Sequence, residues 1–444
     1  MTAPVVFRAT GSLQSLDAAT RAVLMSRASD RDAQLSTRTS AIIHDVRSRG
    51  DVALREMAQR FDGASLQSLE VPHGHWTRAL NDLAPELRQS LERAARNIES
   101  VHRAFLPVAF ETSPERGVTV GRRPDPLARV GVYAPGGRAA YPSSLLMGAI
   151  PARVADVGEV IVCSPPSANG EVSSVVLAAA ALANVDRVFA IGGAGAIAAM
   201  ALGTQSVPRV DRIVGPGNAY VAEAKLQLVG QVAIDSPAGP SELFVLADDD
   251  ASPQVIAREM AAQAEHDPDA AVISVIVGER ATVLYRQTLA SLQKLLAAAP
   301  RAAIIREALA ARGALLTADT LEIGLEFANE WAPEHLLLAV RTESQDAVLS
   351  NVRAAGTVFV GESSSVAFGD YMTGANHVLP TAGLARCYSG LSTLDFVRWT
   401  SWQRVTPDAA SKLARDVGVF ADAEGLPAHA AAARFWSVPP VSQS

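Results

Sequence analysis

The chain has 444 residues, of which 49% are hydrophobic and 19% charged, with a formal net charge of −7. This length predicts two or more domains, and the acidic balance offers no broad basic face for nucleic acid. No apolar run approaches membrane-spanning length, and the first residues, which include Arg8, lack the apolar core of a signal peptide. We therefore expect a cytoplasmic protein that acts on a small soluble substrate, without a membrane or nucleic-acid partner.

The first third of the chain is predicted to be helical, and the rest alternates between strands and helices. Apolar residues at three- and four-residue spacing predict amphipathic helices between about residues 34 and 105. After Pro124, short β-branched runs recur, each followed by a turn and a helical stretch. The first set of predicted strands is 129–134, 159–164, 187–191 and 209–214, and the second is 242–247, 271–278, 313–318, 335–340 and 356–361.

This alternation is typical of βα units stacked into parallel sheets. It predicts an α/β fold with two Rossmann-like parallel-sheet modules, joined near residue 240, and with helical N-terminal and C-terminal extensions. The helices predicted after about Thr406 are too short to stand alone. They should pack on this chain or on a partner.

Glycine-containing turns follow three of the predicted strands: "APGGR" (134–138), "GGAGA" (192–196) and "GPGNAY" (215–220). Such turns let backbone N–H groups approach a phosphate at a helix N-terminus. None of them is a full GxGxxG motif with an acidic residue about twenty positions later. Together they favour a nucleotide cofactor, although tight turns alone also explain each of them.

The stretch "QAEHD" places Gln263 and His266 three residues apart where Pro268 ends a predicted helix that begins after Ser252. The two side chains could form a ligand pair. Alternatively, His266 simply favours the negative end of the helix and Gln263 is an exposed polar residue.

"APEHL" places Glu334 and His335 together immediately before a strand. A carboxylate beside an imidazole offers two bases, or a base and an electrostatic partner, for two proton transfers. A strand-edge ion pair with a distant arginine is the alternative.

Two further loops carry chemically useful residues. "FGDYMTGANHVLPT" contains Asp370 and His377, whose residue types suit Zn²⁺ although their spacing matches no zinc finger. "EGLPAH" contains Glu424 and His429, which can share a face only because Gly425 and Pro427 break the helix. His266, His335, His377 and His429 thus each lie beside an acidic or amide residue in a Gly- or Pro-marked segment, as expected of loops that converge on a metal or proton-transfer site.

Seven motifs follow one another between about residues 34 and 433: "VGVYAPGG", "VDRIVGPGNAYVAEAK", "AIDSPAGPSE", "QAEHD", "APEHL", "GDYMTGANHVLPT" and "EGLPAH". In this order they resemble the histidinol dehydrogenase family of zinc- and NAD-dependent enzymes. The resemblance implies oxidation of L-histidinol through L-histidinal to L-histidine, with two NAD+ reduced and one water consumed, in the last steps of histidine biosynthesis.

The resemblance also implies a role for each site residue. Zinc would be bound by Gln263, His266, Asp370 and His429, the last donated by the other subunit of a homodimer. His335 would accept the alcohol proton in the first step, and Glu334 would activate water in the second. Substrate contacts are implied for Ser241, Gln263, His266, His335, Asp370, His377, Glu424 and His429, and cofactor contacts for Tyr133 and Asn218.

Four domains are implied by the same resemblance. Residues 1–30 would form an N-terminal helical extension that packs with the tail. Residues 31–132 and 242–391 would form a first, discontinuous and incomplete Rossmann-like domain, residues 133–241 a second α/β domain, and residues 392–444 a C-terminal helical tail that reaches the partner subunit.

The chain departs from the family pattern at a few positions. Gly195 stands in "GGAGAIAAM" where the family usually has a Gln against the cofactor, so one hydrogen bond is expected to be lost. Ser236 stands where an apolar residue is usual, and the lead "GESSSVAFGDY" is more polar. A thiohemiacetal route would need a cysteine, and Cys163 is its candidate.

Two other functions remain open on the sequence. A paralogue with the same zinc and NAD machinery could oxidise another small alcohol, such as a sulfonated polyol, to its acid. A metal- and ligand-binding protein without turnover would need the zinc ligands but not both Glu334 and His335. Retention of both bases favours an enzyme, and retention of His377 and Glu424 favours an amino alcohol.

Overall fold

The computed structural model describes residues 4–27, 33–136 and 140–437. Contacts between residues divide the chain into two compact units. The first comprises the chain up to Phe105 together with Leu127–Phe396, and the second comprises Leu106–Pro126 together with the chain from Val397 onward.

The first unit contains two parallel sheets. The six-stranded sheet has the order β1-β11-β10-β9-β12-β13, and its strands are β1 (Ala9–Ser12), β9 (Glu242–Ala247), β10 (Ala271–Val277), β11 (Gly313–Ala318), β12 (His335–Ala339) and β13 (Thr357–Val360). The five-stranded sheet has the order β6-β5-β4-β7-β8, and its strands are β4 (Arg129–Tyr133), β5 (Glu159–Ser164), β6 (Arg187–Ala190), β7 (Arg212–Val214) and β8 (Ala233–Ile234).

Helices cover these sheets. Before and within the five-stranded module lie α1 (Ala18–Met25), α2 (Ala33–Arg49), α3 (Asp51–Met57), which continues as a π-helical segment Ala58–Asp62, α4 (His73–Asn81), α5 (Pro85–Ala104), α6 (Pro142–Val154), α7 (Ser174–Leu182), α8 (Gly193–Leu202) and α9 (Ala219–Leu228). Within the six-stranded module lie α10 (Pro253–Ala264), α11 (Ala281–Leu296), α12 (Ala302–Arg312), α13 (Leu321–Trp331), α14 (Thr342–Ser350) and α15 (Val366–Tyr371).

The alternation of side chains along β9 and β12 explains the two layers of the six-stranded sheet. Leu243 and Val245 join one buried cluster with residues of α10, α11 and α12, whereas Phe244 and Leu246 join another with residues of α1, α13 and α14. Because successive side chains of a strand point to opposite faces, both faces of this sheet need apolar residues. The continuous apolar runs of the sequence follow from this burial on both sides.

The second unit is built differently. Its three-stranded antiparallel sheet has the order β14-β3-β2, formed by β2 (Phe110–Glu115), β3 (Val118–Pro126) and β14 (Val397–Val405). Two helices follow, α16 (Pro407–Ala423) and α17 (Pro427–Arg434), which pack on each other. The Thr406 hydroxyl accepts a hydrogen bond from the Ala409 N–H and so caps α16.

Two local features differ from the sequence-based expectations. Residues 9–12, expected in a helical extension, form the edge strand β1 parallel to β11, because their extended backbone completes the sheet. Helices of the 31–105 region, expected to belong with the six-stranded module, pack through Ile43 and Leu54 into the core of the five-stranded sheet. The proposed domain boundaries themselves stay a prediction.

Within the described part of the chain, no helix is both long enough and apolar enough to cross a membrane.

Candidate active site

The two predicted catalytic bases, Glu334 and His335, lie at the amino ends of two adjacent parallel strands of the six-stranded sheet. β9 begins at Glu242 and β12 begins at His335, and the register pairs His335 with Leu243. Ser241 and Glu334 immediately precede these strands. Parallel pairing therefore brings residues almost a hundred positions apart together at the amino-terminal end of the sheet.

His335 is held in a defined orientation and tautomer. Its Nδ1 lies 2.8 Å from the carbonyl oxygen of Glu242. Since a carbonyl can only accept, Nδ1 carries the proton and Nε2 keeps its lone pair. Nε2 is buried and, among the described residues, has no hydrogen-bond partner. Burial lowers the pKa of His335 to about 4, so the ring is neutral near pH 7 and Nε2 is available to accept a proton.

The main chain of Glu242 also binds the side chain of Glu334. The Glu242 N–H donates to Glu334 Oε2 at 2.7 Å, and this oxygen lies 3.5 Å from His335 Nδ1. Burial raises the pKa of Glu334 well above its ordinary value, and the negative charges of Glu242 and Asp370 raise it further. Such a carboxylate is a stronger base than an exposed one.

The end of α10 brings an amide and an imidazole to this edge. α10 begins at Pro253 after Ser252, as the sequence predicts, and its last turn carries Gln263, with His266 just beyond it. The amide of Gln263 is buried, and its nitrogen lacks a hydrogen-bond partner among the described residues. A buried polar atom without a partner indicates a group that a ligand would complete.

α15 supplies Asp370, and a buried carboxylate fixes this helix to α10. Glu259, one turn before Gln263, accepts a hydrogen bond from the Val366 N–H at 3.1 Å. Asp370 Oδ1 consequently lies 3.9 Å from His335 Nε2. Burial raises the pKa of Asp370 to about 6, with a contribution from the charge of Glu259.

His377 lies in the loop after α15 and connects it to the five-stranded module. Its Nδ1 donates to the Asp370 carbonyl oxygen at 2.9 Å, and its Nε2 lies 3.3 Å from the Ser144 hydroxyl near the start of α6. Asn376 donates to the Met147 carbonyl oxygen of the same helix at 2.8 Å. These contacts connect α6, the helix that follows Tyr133, to the loop that lies near Glu334 and His335.

The glycine turns lie at the carboxyl ends of strands in the five-stranded sheet. The Tyr133 hydroxyl accepts a hydrogen bond from the Gly193 N–H at 3.0 Å, at the start of α8. Asn218 is the N-cap of α9, and its side-chain oxygen accepts hydrogen bonds from the N–H groups of Tyr220 and Val221. The turn "APGGR" is described only to Gly136.

The turn that contains Asn218 is fixed by a buried ion pair. Lys225 donates to the Gly215 carbonyl oxygen at 2.5 Å and to Asp235 Oδ1 at 2.7 Å, while the Gly215 N–H donates to Asp235 Oδ2 at 2.8 Å. Gly215 has φ +111°, and a Cβ there would lie 2.2 Å from the Tyr133 carbonyl oxygen. Only glycine fits this contact.

Cys163 does not fit the role of a nucleophile. It is fully buried in the apolar cluster of the five-stranded sheet, beside Ile161 and Phe189. Burial raises the pKa of its thiol, so the reactive thiolate is disfavoured. The structure gives the thiohemiacetal route no support.

Glu424 and His429 belong to the second unit. Glu424 is the C-cap of α16, His429 lies in α17, and both are exposed. The cluster described above is made of residues of the first unit, namely Ser241, Gln263, His266, Glu334, His335, Asp370 and His377 together with their supporting groups.

Three supporting residues escaped the sequence analysis. Glu242 and Glu259 are buried, although each is charged, and Ser144 contacts His377. A signal existed for Glu242, since a charged residue opens an otherwise apolar strand, "ELFVLA". Ser144, within "YPSSLLMGAIP", has no comparable signal.

Taken together, the α/β fold, the glycine turns of the five-stranded sheet and the cluster of acid–base residues at the six-stranded sheet are typical of an oxidoreductase-type site. Comparison with known proteins makes the assignment specific. A family model described as "Histidinol dehydrogenase" matches residues 25–436. Histidinol dehydrogenase of Methanosarcina mazei is 44% identical over 402 residues, which cover 90% of this chain and 91% of the relative.

Two further comparisons agree. Histidinol dehydrogenase of Pseudomonas syringae pv. tomato is 45% identical over 415 residues, which cover 93% of this chain and 91% of the relative. The crystal structure of histidinol dehydrogenase from Elizabethkingia anophelis matches with a TM-score of 0.91 at 33% identity, covering 97% of this chain and 98% of that one. This chain belongs to the histidinol dehydrogenase family.

Proposed function

We propose that the chain oxidises L-histidinol through L-histidinal to L-histidine, using two NAD+ and one water, in the last steps of histidine biosynthesis in the cytoplasm. The observation that carries the proposal is the buried Glu334 and His335 pair, oriented by one main-chain unit at Glu242. Two successive oxidations need two proton acceptors, and this pair supplies them. Family membership supports the substrate.

The residues present fit a zinc ion. Gln263, His266 and Asp370 offer an amide oxygen, an imidazole nitrogen and a carboxylate oxygen, which are donors of the kind that zinc accepts, and the Gln263 side chain is buried with its hydrogen-bonding capacity incompletely used. We propose these three as ligands, together with His429 of the partner subunit. Bound zinc would hold the nitrogen atoms of the substrate and fix its orientation.

The five-stranded module fits a dinucleotide. Helices α8 and α9 begin at glycine turns, where the positive end of the helix dipole favours phosphate. We propose Tyr133 and Asn218 as cofactor contacts. Bound NAD+ would supply the hydride acceptor for both oxidations.

In the first oxidation, His335 Nε2 accepts the hydroxyl proton of the alcohol as the carbon loses a hydride. The hydrogen bond from Nδ1 to the Glu242 carbonyl fixes the ring and stabilises the imidazolium that forms. The product of this step is the aldehyde.

In the second oxidation, Glu334 removes a proton from water as the water oxygen bonds to the aldehyde carbon. The resulting hydrate anion then loses a second hydride to give the carboxylic acid, whose remaining proton passes to solvent as the carboxylate forms. Burial raises the pKa of Glu334, which makes its carboxylate a stronger base toward water than an exposed carboxylate.

Polar residues around the pair would position the substrate. We propose that Ser241, His377 and Glu424 contact it, besides Gln263, His266, His335, Asp370 and His429. Hydrogen bonds hold His377 from both sides, at Asp370 and at Ser144. A carboxylate such as Glu424 would pair with the amino group of an amino alcohol.

We further propose a homodimer in which the second unit contacts the partner subunit. Its last helices expose large apolar side chains: Phe420 is 70% exposed and Phe435 is 72% exposed. Phe420 lies in α16 and Phe435 in the turn after α17 that contacts it, and large apolar residues exposed on contacting elements are typical of an interaction surface. This arrangement would let each subunit donate His429 to the other.

The test is the NADH formed per L-histidinol consumed by purified, zinc-loaded protein with excess NAD+. We expect two NADH per histidinol, and L-histidine as product. A sulfonated polyol, assayed in parallel, tests the paralogue alternative. Oxidation of the polyol without turnover of histidinol would contradict the proposed substrate, and zinc binding without turnover of either alcohol would indicate a binding protein.

A further inference from the structure

One peptide segment holds both proposed bases. The N–H of Glu242 donates to Glu334 at 2.7 Å, and the C=O of the same residue accepts from His335 at 2.8 Å. Any displacement of residue 242 therefore moves the hydrogen-bond partners of both bases at once. What fixes Glu242 is consequently important for both oxidations.

The side chain of Glu242 is 1% exposed, and both of its carboxylate oxygens have polar partners. Its Oε1 accepts from the Ala382 N–H at 2.7 Å, and its Oε2 accepts from the Glu334 N–H at 3.4 Å. The same oxygen lies 3.3 Å from Arg27 Nη1. The carboxylate thus fastens the start of β9 to the segment that enters β12.

Arg27 contacts that entering segment a second time. Its Nη2 donates to the Trp331 carbonyl oxygen, and its guanidinium lies 3.7 Å from the centre of the Trp331 ring. Trp331 stands three residues before Glu334. Arg27 therefore touches both chain segments that meet at the base pair, one through Glu242 and the other through Trp331.

Stability alone does not explain this ion pair. Burying two charges costs desolvation energy that their attraction repays only in part, and two buried atoms of Arg27, Nε and Nη1, have no hydrogen-bond partner among the described residues. An apolar pair of similar volume would fill the space but would leave the N–H groups of Ala382 and Glu334 without their acceptor. A geometric role accounts for the charges.

We propose that Arg27 and Glu242 are positioning residues, and that their ion pair holds the residue 242 peptide where it orients Glu334 and His335 together. This inference rests on the proposed function for the roles of the two bases. It predicts that loss of the pair impairs both oxidations equally, whereas loss of either base impairs mainly one.

The chain offers a comparison at the other end of the same two strands, in an ion pair whose arginine is half-exposed. Arg341, after β12, pairs with Asp248, after β9, at 3.2 Å, and also contacts Asp249 at 2.9 Å and Asp250 at 3.2 Å. Arg341→Met removes an ion pair between β9 and β12 without touching the base pair. This variant shows how much activity is lost when contacts between β9 and β12 are weakened away from the two bases.

The experiment compares Arg27→Met, Arg27→Lys, the double variant Arg27→Met/Glu242→Gln and Arg341→Met. Single-turnover NADH formation is measured from histidinol and from histidinal, together with the histidinol KM. For Arg27→Met we expect kcat to fall about tenfold or more in both steps, with KM within about twofold, because misplaced bases slow chemistry more than binding. Arg27→Lys and the double variant should recover part of the loss, and Arg341→Met should retain wild-type kcat.

An effect on one step only, an effect on KM only, or an equal loss in Arg341→Met would overturn the proposal. The second measurement is the His335 Nδ1–H resonance in ¹⁵N-histidine-labelled protein, which reports the bond to Glu242 independently of turnover. We expect this resonance to shift or vanish in Arg27→Met and to persist in Arg341→Met. If the wild-type protein does not oxidise histidinol, the proposed function fails, and an unchanged resonance in Arg27→Met would separately overturn the positioning role.

Discussion

The two sheets of the first unit present different chemistry, and at opposite ends of their strands. The five-stranded sheet presents glycine turns and helix N-termini at its carboxyl ends, as at Gly193 and Asn218. The six-stranded sheet presents ionisable side chains at its amino ends, as at Glu334 and His335. Backbone groups suit a phosphate whatever the substrate, whereas identified side chains define a reaction. The six-stranded sheet should therefore determine which reaction the protein catalyses.

The largest effect that this comparison predicts is on the second oxidation. Glu334→Gln keeps the side-chain shape and removes the base, so we expect histidinal oxidation to slow by about 10² to 10⁴. Histidinol oxidation, for which we propose His335 as the base, should slow far less. Single-turnover NADH formation from each substrate measures the two effects, with Asp248→Asn at the other end of β9 as a control. Equal losses in both steps would contradict separate roles for the two bases.

A second prediction concerns the ligand set at this edge. His429→Asn should lower the zinc content per subunit, measured by atomic emission, because one nitrogen donor is lost. His266→Asn should do the same. If the site takes His429 of the partner subunit, mixed dimers of the two variants contain one intact site and should regain part of the activity. Absence of any regain in verified heterodimers would argue against a shared site.

Most strands of both sheets were predictable because burial on both faces leaves continuous apolar runs, whereas the short edge strands β1 and β8 were not predicted. Predicted strands 159–164, 242–247 and 313–318 coincide with those in the structure. β14 and β3 were not predicted, because their residues are largely polar and part-exposed and their pairing joins Val397 to Pro126, far apart in the chain. Single-sequence periodicity carries no information on such distant pairing.

The site shows the same limit. Side chains such as Glu334, His335 and Asp370 could be named from motifs, and the structure brings these three together. The group that orients two of them is the main chain of Glu242, and a peptide N–H or C=O leaves no trace in residue identity. The contact of Ser144 with His377 likewise follows from packing between the two modules.

A third prediction concerns His102, a buried histidine outside the candidate site, and its effect on the pH dependence of stability. His102 of α5 is 1% exposed, and both its ring nitrogens lack partners among the described residues, unlike His335. Burial lowers the pKa of His102 to about 4 from 6.5. Between pH 6.5 and 4 the unfolded chain binds a proton that the folded protein does not, so stability falls as the pH falls. The expected loss is about 3 kcal/mol.

The measurement is the free energy of unfolding in urea at pH 7 and pH 4.5, for the wild-type protein and for His102→Phe. Carboxylates contribute equally to both proteins, so the difference in pH dependence isolates His102. The variant should lose less stability on acidification. Identical pH dependence in the two proteins would show that His102 is already solvated in the folded state.

The smallest expected effect lies on the side of the five-stranded sheet, at Gly195. The family usually has a Gln here, yet a Cβ at Gly195 would lie 3.0 Å from the Met57 sulfur and 3.4 Å from Leu54 Cδ2. The position is therefore occupied by neighbouring side chains, and Gly195→Gln alone must displace Met57. We expect it to change NAD+ affinity little, whereas Gly195→Gln/Met57→Ala should gain a hydrogen bond of about 0.5 to 1.5 kcal/mol, up to roughly tenfold in the dissociation constant by calorimetry. Met57→Ala alone is the control. Tighter NAD+ binding by Met57→Ala alone would show that the gain comes from the space created and not from the added amide. The five-stranded sheet would then be expected to bind its cofactor through backbone groups.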